Sequence, residues 1–290
     1  MANLKEIRSR ITSVSSTMQI TSAMKMVSAS KLKRAQDAIT QMRPYSEKLQ
    51  EILSNLSATL DLSENAYADE REVQNVLIIA ISSNRGLCGG FNNNIIKEVN
   101  FLMNKTYADK NVKMLCYGKK AIDAFRRNDA RVANGLVGVE DIYADLKFGD
   151  IAEIAANVME MYLTKKVDKV VVVYNSFINA ANQLVKTEQL LPIVPTVAEG
   201  TTSTGDYIFE PSKEEIVEEL IPKSLKIQLF KAILDSHASE HGARMTAMHK
   251  ATDNANDLKK SLTLSYNKAR QAAITNEILE IVGGAEALNN

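Results

Sequence analysis

Residues 76–81 have the sequence VLIIAI, six apolar residues without a charge or a turn residue. A short run of this kind is typical of a strand that is buried on both faces of a parallel sheet. Residues 170–174, VVVVY, repeat the pattern, and residues 112–117 give a third strand. Helical patterns separate these strands, at 90–105, 119–127 and 150–165. The sequence therefore predicts an α/β domain whose mostly parallel sheet is covered on both faces, which is a Rossmann-like arrangement.

Two weaker strands complete the predicted sheet. Residues 131–139 have the composition of a strand but a less regular pattern. Residues 184–193 are followed closely by Pro195 and contain Pro192, and prolines of this kind are found mainly on edge strands. Residues 196–205 are polar and predict a mobile loop.

The N-terminal segment has a different pattern, because residues 3–43 contain neither glycine nor proline. Apolar positions recur there at alternating steps of three and four, which is the seam of a coiled coil: Leu4, Ile7, Ile11, Val14, Met18 and Thr21. Pro44 is predicted to kink or break this helix. Helical spacing resumes over residues 45–60.

The C-terminal segment predicts a second long helix. After Pro222 the only glycine before Gly283 is Gly242. The three-four spacing recurs with small residues that permit close helix contact, at Met248, Ala251, Ala255, Leu258, Leu262, Ser265, Ala269 and Ala272. At ~1.5 Å per residue such a helix is roughly 95 Å long, whereas a domain of about 150 residues has a radius of gyration near ~15 Å.

The two terminal helices therefore predict a long antiparallel coiled coil that extends well beyond the α/β domain. The predicted boundaries are 1–60 for the N-terminal helix, 70–211 for the central domain and 212–290 for the C-terminal helix. Because no segment of the chain remains to cover the far end of this coiled coil, we expect a partner protein there.

Composition and charge exclude several classes of protein. The formal net charge is zero, which argues against nucleic acid as the main partner. No apolar run approaches the ~20 residues of a membrane span, and residues 1–6 predict neither a signal nor a transit peptide. Two cysteines, Cys88 and Cys116, indicate a reducing compartment rather than a disulfide framework.

Charge is distributed unevenly along the chain. Residues 1–50 carry nine Lys and Arg against three Asp and Glu, and residues 222–290 carry nine against seven. The middle of the chain is acidic. Two interpretations remain open, an ordinary solvated surface and a basic coiled coil that faces an acidic partner.

Three short motifs have both a functional and a structural interpretation. The turn at residues 82–90, SSNRGLCGG, lies where a phosphate-binding loop would lie, but its spacing fits no known nucleotide motif, so a structural turn is favoured. Residues 237–241, HASEH, match the inverted zinc-protease motif. A long helix offers no cleft and no third ligand at the required spacing, and we expect surface histidines. Residues 31–34, KLKR, lack aromatic neighbours and predict a solvated or partner-facing helix face.

The most specific sequence motif in the chain is at its C-terminal end. Residues 274–287, ITNEILEIVGGAEA, resemble the signature of the gamma subunit of F-type ATP synthases. Further segments of the sequence are similar to the same family: IRSRI at 7–11, ITSAMKMV at 20–27, RGLCGG at 85–90, ARMTAM at 243–248, ATDN at 251–254 and YNKARQ at 266–271. The resemblance covers most of the chain.

The resemblance implies a central-stalk subunit, the rotor shaft that couples ion flow through the membrane ring to ATP synthesis or hydrolysis. It implies no catalytic residue, cofactor or metal in this chain. The implied partners are the alpha, beta, epsilon and delta subunits and the c ring, and the implied location is peripheral, at the cytoplasmic face of a bacterial plasma membrane. A nucleotide-binding α/β enzyme and a generic coiled-coil scaffold are the alternatives.

The resemblance also implies which residues make contacts. The implied contacts to the alpha and beta subunits are Met24, Lys25, Arg244, Arg270, Gln271, Thr275 and Glu277. Tyr207 and Glu210 lie in a segment that resembles the foot near the c ring and the epsilon subunit.

Overall fold

The computed structural model describes residues 4–59, 65–128, 136–139, 146–193 and 213–289. In chain order the elements are α1 (Leu4–Thr59), β1 (Asn75–Ile81), α2 (Phe91–Phe101), a π-helical turn (Leu102–Thr106), β2 (Asn111–Tyr117), α3 (Lys119–Asn128), β3 (Leu136–Val139), α4 (Phe148–Leu163), β4 (Lys169–Phe177), β5 (Gln183–Leu191) and α5 (Lys213–Asn289).

The five strands form one sheet in the order β3-β2-β1-β4-β5. β1 pairs in parallel with β2 on one side and with β4 on the other, so that Ile79 lies between Leu115 and Val172. β5 is the antiparallel edge strand, as predicted from its prolines. Of the predicted strand at 131–139, residues 136–139 form β3, parallel to β2. The remainder of that segment and the loop at 196–205 lie outside the described residues.

The apolar strands are covered on both faces, which confirms the predicted α/β fold. On one face Ile79, Tyr117 and Val172 pack with residues of α4 and α5, including Ile151 and Leu229. On the other face Ile78, Met114 and Val173 pack with α2 and α3. Burial of such side chains stabilises each by about 1.5–3 kcal/mol, which explains why these strands are apolar throughout rather than alternating.

The chain divides into two compact units, residues 1–28 with 245–290, and residues 29–244. The first unit contains the N-terminal part of α1 and the C-terminal part of α5. The second contains the sheet, the remaining helices and the rest of α1 and α5. The domain boundaries expected from the sequence stay predictions.

In the first unit α1 and α5 are antiparallel. Ser15 Oγ accepts from Lys259 Nζ at 3.3 Å, Thr21 Oγ1 lies 2.8 Å from Thr252 Oγ1, and Lys25 Nζ lies 3.3 Å from His249 Nδ1. Partner numbers on α5 fall as those on α1 rise. The antiparallel coiled coil predicted from the sequence is therefore confirmed in this unit.

The predicted seam is confirmed on α1 and is partly wrong on α5. All six α1 positions from Leu4 to Thr21 are buried or half-buried. On α5 Met248 and Ala255 are buried, but Leu258 is 51% exposed, and Ser265 and Ala272 are also exposed. Lys259, Tyr266 and Ala273, each one residue further on, are half-buried instead. The reason is that long amphipathic side chains bury their stems while their polar ends reach water or a partner, which a count of apolar residues does not detect.

Two further features differ from the expectation. Of the kink or break predicted at Pro44, the break is wrong, because α1 continues past it, and the kink stays a prediction. Proline removes one hydrogen bond, and packing beyond it holds the helix, since Leu49 is buried and Ile52 packs against the core. The predicted helix to about Lys105 ends as a π-helical turn, in which Tyr107 N donates to Leu102 O at 2.8 Å.

No helix within the described residues is long and apolar enough to cross a membrane.

Candidate functional site

The turn that follows β1, residues 82–90, is held by its own polar side chains. Ser82 Oγ donates to Tyr117 O at 3.0 Å and accepts from Ala121 N at 2.9 Å. Asn84 Oδ1 accepts from Lys119 N at 2.9 Å. Ser82 O also lies so close to Gly118 that an added Cβ would stand 2.2 Å away, and Gly118 has a φ of +89°. These contacts fasten the turn to the start of α3.

A second set of contacts fastens the same turn to α2. Ser83 N donates to Asn92 Oδ1 at 3.0 Å, and Asn92 Nδ2 donates to Ser83 Oγ at 2.8 Å. Cys88 is buried and packs with Phe91, as expected of a packing cysteine. The polar side chains that a phosphate-binding loop would offer to a ligand are therefore engaged within the chain.

Arg244 on α5 is bonded to the backbone of this turn. Its Nη2 donates to Arg85 O at 3.0 Å, and its Nε donates to Gly86 O at 3.4 Å. Its Nη1 lies 2.7 Å from Glu240 Oε1, one helical turn earlier on α5. Both side chains are less than 10% exposed. We call Glu240, His241 and Arg244, with the carbonyls of Arg85 and Gly86, the Arg244 cluster.

A pair of histidines extends the Arg244 cluster along α5. His241 Nδ1 lies 3.3 Å from Arg244 Nη1, and the Nε2 atoms of His241 and His237 are 3.1 Å apart. Burial lowers the pKa of His237 to about 4 and that of His241 to about 3, and nearby positive charges act in the same direction. Neutral His241 therefore accepts from Arg244 at Nδ1 and donates to His237 from Nε2.

The two histidines are not the surface residues that the sequence predicted. His241 is 4% exposed, because this part of α5 packs on the α/β domain rather than continuing as a free helix. Glu240, the acid of the HxxEH motif, is bound to Arg244. Within the described part of the chain there is no group of three or more His, Cys, Asp or Glu side chains that could hold a metal ion.

The Arg244 cluster lies at the topological switch point of the sheet. Strand order reverses between β1 and β4, and in open α/β sheets the crevice outside the ends of two such strands is where ligands bind. Here α5 occupies it. Arg244 contacts the turn after β1, and Gly242 lies against Phe177 and Ala180 at the end of β4.

In the first unit, the far part of α5 carries exposed aliphatic side chains. From residue 274 to 282 their exposed fractions lie between 48% and 71%: Ile274, Ile278, Leu279, Ile281 and Val282. Five large apolar side chains within nine residues of one helix form a surface that soluble proteins rarely leave open to water. Among the described residues, this segment has the highest density along the sequence of exposed large hydrophobic side chains.

Comparison with known proteins identifies the family. The profile of the ATP synthase family matches residues 3–288. The ATP synthase gamma chains of Christiangramia forsetii and Flavobacterium johnsoniae are 63% and 62% identical to this chain, over 100% of both chains in each case. The chain belongs to the ATP synthase gamma-chain family.

Solved structures agree with this family at the level of the fold. The central stalk and c-ring structure of the Tetrahymena thermophila mitochondrial ATP synthase contains a chain that matches 80% of this one and 99% of its own length, with 26% identity and a TM-score of 0.59. A chain in the OSCP/F1/c-ring structure of the Euglena gracilis mitochondrial ATP synthase matches over 98% and 94%, with 22% identity and a TM-score of 0.68. Membership of the gamma-chain family decides against an independent nucleotide-binding enzyme and against an unrelated scaffold.

The residues expected to make contacts fall into three groups. Arg270, Gln271, Thr275 and Glu277 are exposed on α5, and Met24 and Lys25 are half-buried on α1. Arg244 is 7% exposed and bonded within its own chain. Tyr207 and Glu210 lie outside the described residues. The contacts of all these residues with partner subunits stay predictions.

Two residues of the site were not selected from the sequence. Glu240 was considered only as part of a zinc motif, and Gly242 only as an interruption of a helix. A usable signal existed, because the small residues at 238, 239, 242 and 243 lie beside or between the members of an i, i+4 pair of Glu and Arg. Small residues within a helix indicate close approach of another segment, and such an approach would bury the pair.

Proposed function

We propose that this gamma-family chain is the rotor shaft of a rotary ATP synthase, which couples ion flow through a membrane ring to ATP synthesis or hydrolysis. The observation that carries the proposal is the exposed aliphatic segment of α5 between Ile274 and Val282. Leaving apolar surface in water costs about 25 cal/mol per Å², so a segment of this size favours a surrounding sleeve of protein. Alpha and beta subunits form that sleeve in the proposal.

The proposed partners are the alpha, beta, delta and epsilon subunits and the c ring. Support comes from the structural relatives, which are chains of central-stalk, F1 and c-ring assemblies. The proposed location is peripheral, at the cytoplasmic face of a bacterial plasma membrane, and the bacterial sources of the gamma chains at 62–63% identity support it. Tyr207 and Glu210 would lie in the foot, near the c ring and the epsilon subunit.

The proposed mechanism is differential contact. A shaft whose faces differ presents a different surface to each of several chemically identical catalytic subunits, so the nucleotide affinities of those subunits differ at any instant. Rotation then exchanges the affinities among them, as a population shift produced mechanically. In this proposal the chain is a non-catalytic subunit of the complex. The proposed contacts are Met24, Lys25, Arg244, Arg270, Gln271, Thr275 and Glu277.

Substitution of Arg270 tests whether the shaft couples or only assembles. Arg270 is exposed, and Arg270→Glu would remove a charge-assisted hydrogen bond to a partner, worth roughly 1.5–3 kcal/mol, and add repulsion from an acidic surround. We expect an assembled complex with impaired ATP synthesis, because exposed positions change the stability of the free chain little. The measurement is subunit content by mass spectrometry, together with ATP synthesis, in the purified complex.

Lys268→Glu is the matched control for Arg270→Glu. It makes the same charge change two residues away, on another face of α5. Reduced synthesis in Arg270→Glu alone supports a specific contact. Normal synthesis by a fully assembled Arg270→Glu complex would show that Arg270 has no coupling role. Failure of the unsubstituted chain to co-purify with alpha and beta subunits would refute the shaft function altogether.

A further inference from the structure

One turn of α5, residues 240–244, contacts both turns that leave the sheet at the switch point. Arg244 donates to two carbonyls of the turn after β1, at 3.0 and 3.4 Å. Gly242 lies against the segment that follows β4, and Ala243 packs with Cys88 and Phe91. The α/β domain therefore contacts this turn of α5 from two sides.

Glu240 makes the Arg244 contacts possible. The two backbone carbonyls accept hydrogen bonds but carry no net charge, so the guanidinium would be a buried, uncompensated charge without a carboxylate. Glu240 Oε1 at 2.7 Å supplies that charge, and removing one partner of a buried pair is strongly destabilising. The i, i+4 spacing also fixes the direction in which the planar guanidinium leaves the helix.

Gly242 sets the distance between α5 and the segment after β4. A Cβ at this position would stand 3.2 Å from Ala180 Cα and 3.4 Å from both Ala180 O and Phe177 Cε2. The distance of 3.2 Å is shorter than most van der Waals contacts and the two of 3.4 Å are at the lower limit of ordinary contact. The nearest atom belongs to the backbone, which moves less readily than a side chain. A larger residue at 242 would therefore require α5 and the segment after β4 to separate by a few tenths of an ångström.

We propose that Glu240 and Gly242 are positioning residues of the rotor. They hold Arg244 in place so that the α/β domain holds α5 in one fixed orientation about the helix axis. The hydrophobic effect that packs a helix on a sheet is itself not directional, so it specifies the orientation of the helix about its axis less sharply than a polar contact does. Hydrogen bonds and ion pairs are directional, and this turn of α5 carries both. Torque that enters the α/β domain would therefore pass to α5 here. The inference rests on the proposed rotor function.

The test uses the assembled complex in membrane vesicles, with ATP hydrolysis and ATP-driven ion uptake measured on the same preparation. Glu240→Gln removes the charge at nearly constant shape, and Arg244→Lys keeps the charge without the planar fork. Asp37→Asn is the control, because Lys33 and Asp37 form an exposed i, i+4 pair at 2.8 Å in the same unit. We expect both junction variants to lower ion uptake per ATP hydrolysed, and the control to leave it unchanged.

A double variant separates positioning from a purely structural role. Glu240→Gln should make the amides of residues 82–92 exchange with solvent on the order of 100-fold faster, because Arg244 is left as an unpaired buried charge. Glu240→Gln combined with Arg244→Met removes that charge and should restore protection of those amides. Ion uptake per ATP should stay low in the double variant, because the directional contacts remain absent.

Two results would overturn the positioning role. One is uptake per ATP at the level of Asp37→Asn in an assembled Glu240→Gln complex. The other is recovery of uptake together with amide protection in the double variant, which would make the Arg244 cluster structural only. If Glu240→Gln alone does not fold, the double variant and Arg244→Lys decide. Failure of the unsubstituted chain to assemble would refute the proposed function, and with it the rotor role inferred here, whereas the two results above overturn the positioning role alone.

Discussion

Two Glu–Arg pairs of the described residues have the same spacing in two different environments. Glu6 and Arg10 lie on α1 with 2.8 Å between Oε1 and Nη2, and Glu240 and Arg244 lie on α5 with 2.7 Å between Oε1 and Nη1. The side chains of the first pair are 54% and 66% exposed, whereas those of the second are 9% and 8% exposed. Local geometry is therefore nearly identical, and only burial differs.

Burial changes what each pair contributes. In water the attraction between Glu6 and Arg10 is screened, and an exposed i, i+4 pair stabilises a helix by only about 0.3–0.5 kcal/mol. Glu240 and Arg244 have lost their water, so each needs the other to avoid an uncompensated charge. Burial raises the pKa of Glu240, and Arg244 acts against that rise. The same two residue types thus give a minor surface contact in one region and an essential one in the other.

The largest expected difference between the two regions comes from removing the arginine of each pair. Arg244→Met leaves Glu240 buried and unpaired, and should lower the free energy of unfolding of the α/β unit by about 3–5 kcal/mol. Arg10→Met should cost at most about 0.5 kcal/mol in its own unit. Hydrogen exchange of both units in the free chain measures the two effects separately. Equal losses in the two variants would show that burial does not govern these pairs.

The sequence predicted the sheet because each central strand is specified locally. A run such as residues 76–81 has no helical periodicity and no polar face, and so it fits only a strand covered on both sides. The Arg244 cluster could not be predicted in the same way. Whether Glu240 and Arg244 are buried depends on residues 85 and 86, which are more than 150 positions away, and the i, i+4 pattern is identical at Glu6 and Arg10.

The seam of the coiled coil could be predicted from the sequence only in part, unlike the sheet and unlike the Arg244 cluster. On α1 the apolar positions themselves form the seam, and Ile7 and Thr21 are buried as predicted. On α5 the half-buried positions beyond Ala255 include Lys259 and Tyr266, which have polar ends, as well as the predicted Leu262 and Ala269. Apolar periodicity is therefore sufficient only where the buried side chains are themselves apolar.

Asp168 offers a further test of the comparison, because its carboxylate is bound by backbone amides as well as by an arginine. Its Oδ2 accepts from Asn75 N at 2.8 Å and from Gln74 N at 3.1 Å, and its Oδ1 lies 3.5 Å from Arg71 Nε. Asp168→Asn weakens these charge-assisted bonds while keeping the size of the side chain. We expect a loss of about 1–3 kcal/mol from the α/β unit at neutral pH, measured by hydrogen exchange against Asp109→Asn, an exposed control.

The pH dependence of the Asp168 effect has a defined sign. Burial of Asp168 acts to raise its pKa, but hydrogen bonds from Asn75 and Gln74 outweigh it, and the pKa is lowered from its usual 3.8. The unfolded state therefore takes up a proton first as the pH falls, and the stabilisation is present above 3.8 and lost below it. An Asp168→Asn variant as stable as Asp109→Asn at neutral pH would show that the negative charge of Asp168 adds nothing to these hydrogen bonds.

The last expected effect concerns His241 of the Arg244 cluster, and it develops only as the pH falls. His241 has its pKa lowered to about 3 by burial, by His237 and by Arg244, whereas the usual value is 6.5. As the pH falls below 6.5, His241 binds a proton in the unfolded state but stays neutral in the folded state. The free energy of unfolding should therefore fall by up to about 1.4 kcal/mol per pH unit for this group.

His241→Gln should remove that part of the slope between pH 7 and pH 5. His249→Gln, a substitution in the first unit, is the control for the slope of the α/β unit. Hydrogen exchange of the α/β unit at several pH values, corrected for the intrinsic rate, measures the slope. An unchanged slope in His241→Gln would mean that this histidine is not held neutral in the folded chain, and that burial does not distinguish the α5 turn from the exposed end of α1.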